Sequence, residues 1–348
     1  MNHKKIIVTT ILSLLLSDQA YSFSVAKVAQ SATTNHSQEC IVGYRVAQAA
    51  FFLASMFPLI ESWKIFCSRK QFPPVSGNRL AFLQNICRDN DLDPNTMHLG
   101  LHRCSQKDHN ILSAAIGPDT ILIDTAEMDD KFDQMLANQK NNWLNIPEAT
   151  REEQRQQEQR KIDAAKTVIT HEIGHLQKGH YYKEPIVQTL GYAAIALLFE
   201  RYVHHKGFLQ EWFESPTTLT SLCKCSLSYA LTGGLCHLLS KYLIFLPYSR
   251  SCEREADAYA IRQAQQSNDL RAPDNLEAVA DRLEKLFQQR INAQRERAGR
   301  QPIVLGSFRE RYLTNFKHPS FSERITYFRA AAQCLREKQR MSAQTKQS

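Results

Sequence analysis

Nine cysteines are present, yet no two stand in a C-x-x-C spacing, which excludes the zinc-ribbon and dithiol redox motifs that such pairs signal. Nine is also odd, so at least one thiol is unpaired within a monomer, and a disulfide scaffold is not expected in a chain of 348 residues. No apolar run reaches the ~18–20 residues that cross a bilayer with confidence. There is no internal repeat and no low-complexity tract. Acidic residues are outnumbered, 35 Asp and Glu against 43 Lys and Arg for a net charge of +8, but the excess is diffuse. Its main cluster, at 288–300, and the basic C-terminal region are interrupted by Glu284, Glu296, Glu310 and Glu337. That is the pattern of a solvated helical face, and no nucleic-acid partner is expected.

What is present starts with an apolar N-terminus. Lys4 and Lys5 precede "IIVTTILSLLLS", and Ala20-Tyr21-Ser22 offers small residues where a signal peptidase cuts, so residues 1–22 read as a signal peptide or an N-terminal anchor. Three uncharged stretches follow, at 46–60, 185–199 and 225–240. The first marks 41–62 as a candidate transmembrane helix, and the other two define an apolar hairpin over 185–247. Flanking Lys, Arg and Glu can extend their reach by snorkelling. A mean hydropathy of -0.41 nevertheless says that most of the chain is soluble, and buried core helices are the competing reading.

Between these stretches lie short β-like runs, "MHLGLH" (97–102), "NILSAAIG" (110–117) and "DTILIDT" (119–125), divided by Asp, Asn, Gly and Pro. Residues 148–165 are highly charged and free of Gly and Pro, which predicts an exposed helix feeding into the segment that follows. The last residues, 331–348, form a charged tail. The fold class expected is α+β, mostly helical, with one small sheet.

The segment "KTVITHEIGHLQKGH" (166–180) carries the chemistry. Its apolar residues Val168, Ile169, Ile173 and Leu176 have helical spacing, which places His171 and His175 about 40° apart on one face at ~3.6 residues per turn. Both imidazoles then reach one ion, while Glu172 is turned to touch a water beside that ion rather than to ligate it. A catalytic metal of this kind takes a third protein ligand. "YSRSCEREADAYA" (248–260) supplies it, because Glu253 and Asp257 fall one turn apart on a second helix, with Glu255 facing another way. Glu253 is assigned to the metal, and Asp257 to a hydrogen bond that fixes the tautomer of a ligand imidazole.

These residues resemble the membrane-associated zinc peptidases that include HtpX and the CAAX prenyl endopeptidases. "HEIGHLQKGH" is similar to that family's histidine helix, "SRSCEREAD" (249–257) to its S-R-x-x-E-x-x-A-D element, and "HPSFSERI" (318–325) to its H-P-x-x-x-x-R-I signature. "NILSAAIGPDTILIDT" looks like its asparagine-led edge strand and the strand after it. The resemblance covers residues 75–330 and implies a gluzincin domain there with one Zn2+ per chain, ligands His171, His175 and Glu253, and Glu172 as catalytic base. Asn110, His318 and Arg324 are candidate substrate or transition-state contacts. The charged run at 140–165 looks like an insertion relative to the family, and Cys252 is not expected before the glutamate.

The implied function is a membrane-associated metalloendopeptidase acting on protein or peptide substrates, in quality control of damaged proteins, with membrane lipid as a further partner. The alternative is a non-catalytic membrane-bound binding protein that keeps the fold. A bacterial-type inner membrane is the expected location, the chain being exported or anchored through its N-terminal apolar segment. Because His175 and Glu253 must meet, the chain between them crosses a membrane twice or not at all. Lys64, Arg69, Lys70 and Arg79 outnumber Lys27 and Arg45, which puts the site on the cytoplasmic side if 46–60 spans and on the outer side if it does not.

Overall fold

The computed structural model describes residues 72–102, 113–124, 129–140, 148–206, 232–267, 269–310 and 318–345, with residues 59, 60, 64 and 67. The chain divides into two compact units, one of residues 1–55 and 193–237, the other of 56–192 and 238–348. In the first unit, the described residues 193–206 and 232–237 are all helical. The second unit carries the sheet, the cores and the residues singled out above.

Its elements are α1 (Gly77–Asp89), β1 (His98–His102), β2 (Ser113–Ile116), β3 (Thr120–Asp124), α2 (Asp130–Lys140), α3 (Glu148–Lys178) and α4 (His180–Lys206), the last running on into the first unit. A π-helical turn (Lys241–Phe245) leads into α5 (Leu246–Gln266), followed by α6 (Ala272–Leu286), a second π turn (Phe287–Asn292), α7 (Ala293–Arg297) and α8 (Phe321–Thr345). The architecture is mostly helical with one three-stranded sheet, in the order β1-β3-β2. β1 and β3 run parallel, with Leu99 opposite Ile121, and β2 pairs antiparallel with β3, with Ala115 opposite Ile121. Among the described residues β2 is therefore an edge strand. The predicted runs at 97–102, 110–117 and 119–125 match these strands, apart from 110–112 and 125, which lie outside the described residues.

α3 organises the unit because it is apolar on two sides. Ile162, Ala165, Ile169, Ile173 and Leu176 face a core built with Leu83, Ile86, Leu99, Ile121, Phe132 and Leu136 from α1, the sheet and α2. Ala164 and Val168 face a second core of Leu276, Leu283, Phe287, Phe321, Ile325 and Phe328 from α6, the second π turn and α8. Each fully buried Leu, Ile or Phe contributes ~1.5–3 kcal/mol, so α3 is held from both sides over its last five turns. Its first turns, where 152–157 are exposed, continue as helix from the same cooperative unit. The charged run at 148–165 and the histidine segment thus form a single helix.

No helix among the described residues is long and apolar enough to cross a membrane. For α4 the reason is its length: the apolar stretch 185–199 between Glu184 and Glu200 measures ~22 Å at ~1.5 Å per residue, short of the ~30 Å hydrocarbon layer. Residues 1–22, 225–231 and all of 41–62 except 59 and 60 lie outside the described residues.

Glu310 fixes where α8 begins. Fully buried, it accepts hydrogen bonds through Oε1 from the backbone N–H of Phe321 (2.5 Å) and Ser322 (3.4 Å), and through Oε2 from Ser322 Oγ (2.7 Å) and the Gly306 N–H (3.4 Å). A carboxylate there satisfies free amides of the first turn and meets the positive end of the helix dipole. Glu310→Ala strands these buried donors and is expected to lower stability by about 2 kcal/mol or more in chemical denaturation, while Glu310→Gln, which keeps one acceptor, loses less.

Candidate metal centre

The site forms where α3 and α5 cross. Gly174 lies so close to α5 that a Cβ there would stand 3.0 Å from Ala256 Cα and 3.1 Å from Tyr259 Cβ. The two helix backbones touch at that point, and the side chains one turn to either side meet. His171 Nε2 and His175 Nε2 are 3.1 Å apart. Glu253 Oε2 is 3.4 Å from the former, and Glu253 Oε1 is 3.5 Å from the latter.

A tetrahedral ion with bonds of ~2.1 Å holds its ligand atoms ~3.4 Å apart, so these three spacings suit one small cation. The donor set of two imidazole nitrogens and one carboxylate oxygen is one that zinc takes. Among the described residues this is the one group of three whose ligand atoms all lie within 4.8 Å of one another.

Each ligand is braced from behind. Asp257, wholly buried, places Oδ1 2.8 Å from His171 Nδ1. It accepts from Arg324 Nε (2.9 Å) and from the second guanidinium nitrogen (2.7 Å), and from the Tyr327 hydroxyl. Burial alone would raise the Asp257 carboxyl, but Arg324 and His171 more than reverse this and hold it at about 2. Burial likewise pushes the His171 imidazole down, and Asp257 and Glu253 overcome it and carry it up to about 10. Glu253 is pushed up by burial and pulled well below the usual carboxylate range by His318, whose Nδ1 is 2.7 Å from its Oε2, and by the two imidazoles.

Glu172, also buried, reaches the sheet. Its Oε2 accepts a hydrogen bond of 2.9 Å from the N–H of Ala115 in edge strand β2. His180 stands on the other side: its Nδ1 is 2.9 Å from His175 Nδ1, and its Nε2 is 3.2 Å from Glu255 Oε2. Burial, followed by the His175 imidazole, lowers the pKa of His180.

The structure therefore brings together His171, Glu172, His175, Glu253 and Asp257. Of the candidate contacts, His318 sits on the Glu253 carboxylate, Asn110 lies outside the described residues, and Arg324 is bonded to Asp257. Both of its bonding nitrogens are committed to Asp257, because α8 enters with its first turn against α5. Sequence reasoning did not single out His180 or Tyr327. The only signal for His180 was its place at the end of "HEIGHLQKGH", after a glycine able to turn the chain.

A helix-borne H-E-x-x-H pair joined by a glutamate from a second helix defines the gluzincin class of metallopeptidases. Residues 154–332, just over half of the chain, match the family model for peptidase family M48. The chain belongs to this family, which includes HtpX and the CAAX prenyl proteases. No curated protein and no solved structure matches it.

Metal binding at such a centre competes with protons for the ligand nitrogens. Because His171 is held protonated up to about 10, a cation must displace a proton from it at neutral pH. The affinity for Zn2+, measured by chelator competition, is expected to rise up to ~10-fold per pH unit between pH 6 and pH 8, with release of protons on binding.

Proposed function

We propose that this protein is a zinc-dependent metalloendopeptidase that cleaves peptide bonds in protein substrates, with His171, His175 and Glu253 holding one Zn2+ and Glu172 as the catalytic base. The observation that carries the reading is the convergence of those three ligand atoms on one point, with the neighbouring Glu172 carboxylate held by the Ala115 amide. Membership of peptidase family M48 supports the reaction class.

When bound, zinc supplies a Lewis acid that polarises the scissile carbonyl and makes a water acidic enough to attack at neutral pH. The protein does the rest. Asp257 orients His171 and stabilises charge on it, and Arg324 and Tyr327 keep Asp257 ionised in a buried place. The Ala115 amide fixes Glu172 through Oε2, and Glu172 takes the proton of the attacking water and passes it to the leaving amine.

An antiparallel strand turns the N–H and C=O of one residue to the same side. The Ala115 carbonyl thus lies on the open edge of β2, beside the amide that grips Glu172. A substrate running extended along that edge pairs with this carbonyl and presents its own to the metal in fixed register. The base and the substrate-binding edge share one residue.

Association with a lipid surface is the finer part of the reading. Leu190 of α4 and Leu238, Tyr242 and Leu243 are between 48% and 64% exposed, although α4 packs there through Gly191 against Ile244. Apolar side chains left outward in this way suit an interfacial position.

Purified protein incubated with casein tests the assignment. Cleavage should be abolished by a chelator and restored by Zn2+. Glu172→Gln should keep bound zinc yet lower kcat by ~10²–10⁴-fold. Unchanged cleavage in that variant would remove Glu172 as base, and zinc binding without any cleavage by the wild type would favour a non-catalytic binding protein instead.

A further inference from the structure

An imidazole nitrogen binds a cation only through a bare lone pair, so each ligand histidine must carry its single proton on the far nitrogen. For His171 the cause is direct: Asp257 stands 2.8 Å from Nδ1 and accepts only, so the proton that His171 keeps when a cation displaces the other is the one on Nδ1. Among the described residues no carboxylate stands at Nδ1 of His175. Its Nδ1 faces another imidazole nitrogen, His180 Nδ1, at 2.9 Å, and two such nitrogens share one proton between them. Which ring owns it decides whether His175 can ligate.

The answer is set one residue further out. His180 Nε2 lies 3.2 Å from Glu255 Oε2, and an ionised carboxylate only accepts. His180 is 3% exposed, and a buried imidazole facing a ligand of a cation is disfavoured in its charged form. Its one proton is therefore on Nε2, which makes its Nδ1 the acceptor. The shared proton belongs to His175 Nδ1, and His175 Nε2 is left bare toward His171 and Glu253.

From this we infer that Glu255 and His180 form a relay that fixes the tautomer of His175, matching through an intervening imidazole what Asp257 does directly for His171. Neither residue touches substrate or metal; both are positioning residues. The relay depends on a local break in the chain. In a continuous helix a residue five places on stands about 140° round and cannot face its predecessor. Gly179, at φ +66°, ends α3 and starts α4, which returns His180 to the Nδ1 side of His175. The left-handed backbone conformation at 179 calls for glycine.

The inference rests on the reading of His175 as a metal ligand, and Zn2+ affinity of the full chain, measured against a chromophoric chelator, separates the two. His180→Gln keeps an acceptor for His175 Nδ1–H, whereas His180→Phe fills the space with none. Glu255→Gln keeps an acceptor for His180, whereas Glu255→Lys offers only donors and drives the proton of His180 to Nδ1, and that of His175 to Nε2.

H180F and E255K are expected to weaken Zn2+ binding ~10–100-fold, with H180Q and E255Q within a few-fold of wild type. Glu255 is half exposed, so its substitutions leave the fold intact. In the H180Q background the lysine should have almost no effect, since glutamine cuts the relay. A plain charge effect would persist there and would overturn the inference, as would wild-type affinity in E255K. Absence of zinc from the wild type would instead sink the metal reading itself.

Discussion

Gly174 lies against the backbone of Ala256, and most of the site geometry follows from that contact. A Cβ at 174 would stand 3.0 Å from the Cα and 3.2 Å from the carbonyl oxygen of Ala256, so a side chain there would require the two backbones to give way at the point that sets the distance from Glu253 to the imidazoles. The approach is possible only because both helices are held rigidly elsewhere, α3 between two cores and α5 through Asp257 and Arg324 to α8. A site assembled from two helices is only as well defined as their crossing. Here the crossing is backbone against backbone, which leaves little room for slack.

Charge is balanced with the same economy. Four ionisable groups, His171, Glu253, Asp257 and Arg324, are buried within hydrogen-bonding reach of one another in a chain, and each is held in its charged form by its neighbours against the cost of burial. Such a cluster is costly in an apolar setting, and removing any one member leaves another uncompensated. Glu310 extends the dependence outward, because it determines where α8 starts and therefore where Arg324 and Tyr327 reach α5.

What was legible in the sequence was whatever depends on a single helix. His171 with His175, and Glu253 with Asp257, are each one turn apart, so helical periodicity alone puts each pair on one face. The strands were legible because β-branched and apolar runs between Asp, Gly and Pro have few other uses. The roles of Arg324, Tyr327 and Glu310 were not legible, since they arise from the way α8 meets α5 and no spacing within one element encodes that. His180 was hidden for the opposite reason. Helical periodicity, extended past Gly179, turns it away from His175, and only the left-handed break at that glycine reverses the result. The family resemblance, by contrast, rests on three ordered motifs and agrees with the match over residues 154–332.

The same break has an electrical effect. Aligned peptide units give a helix a partial negative pole of roughly half an elementary charge at its carboxyl end. By stopping α3 at Lys178, Gly179 sets that pole within two turns of both imidazoles, where the Leu176 carbonyl accepts from the Gly179 N–H (3.0 Å) and the Lys178 carbonyl from Lys183 Nζ (2.6 Å). Had α3 and α4 been one rod, the pole would sit near Lys206, far from both imidazoles.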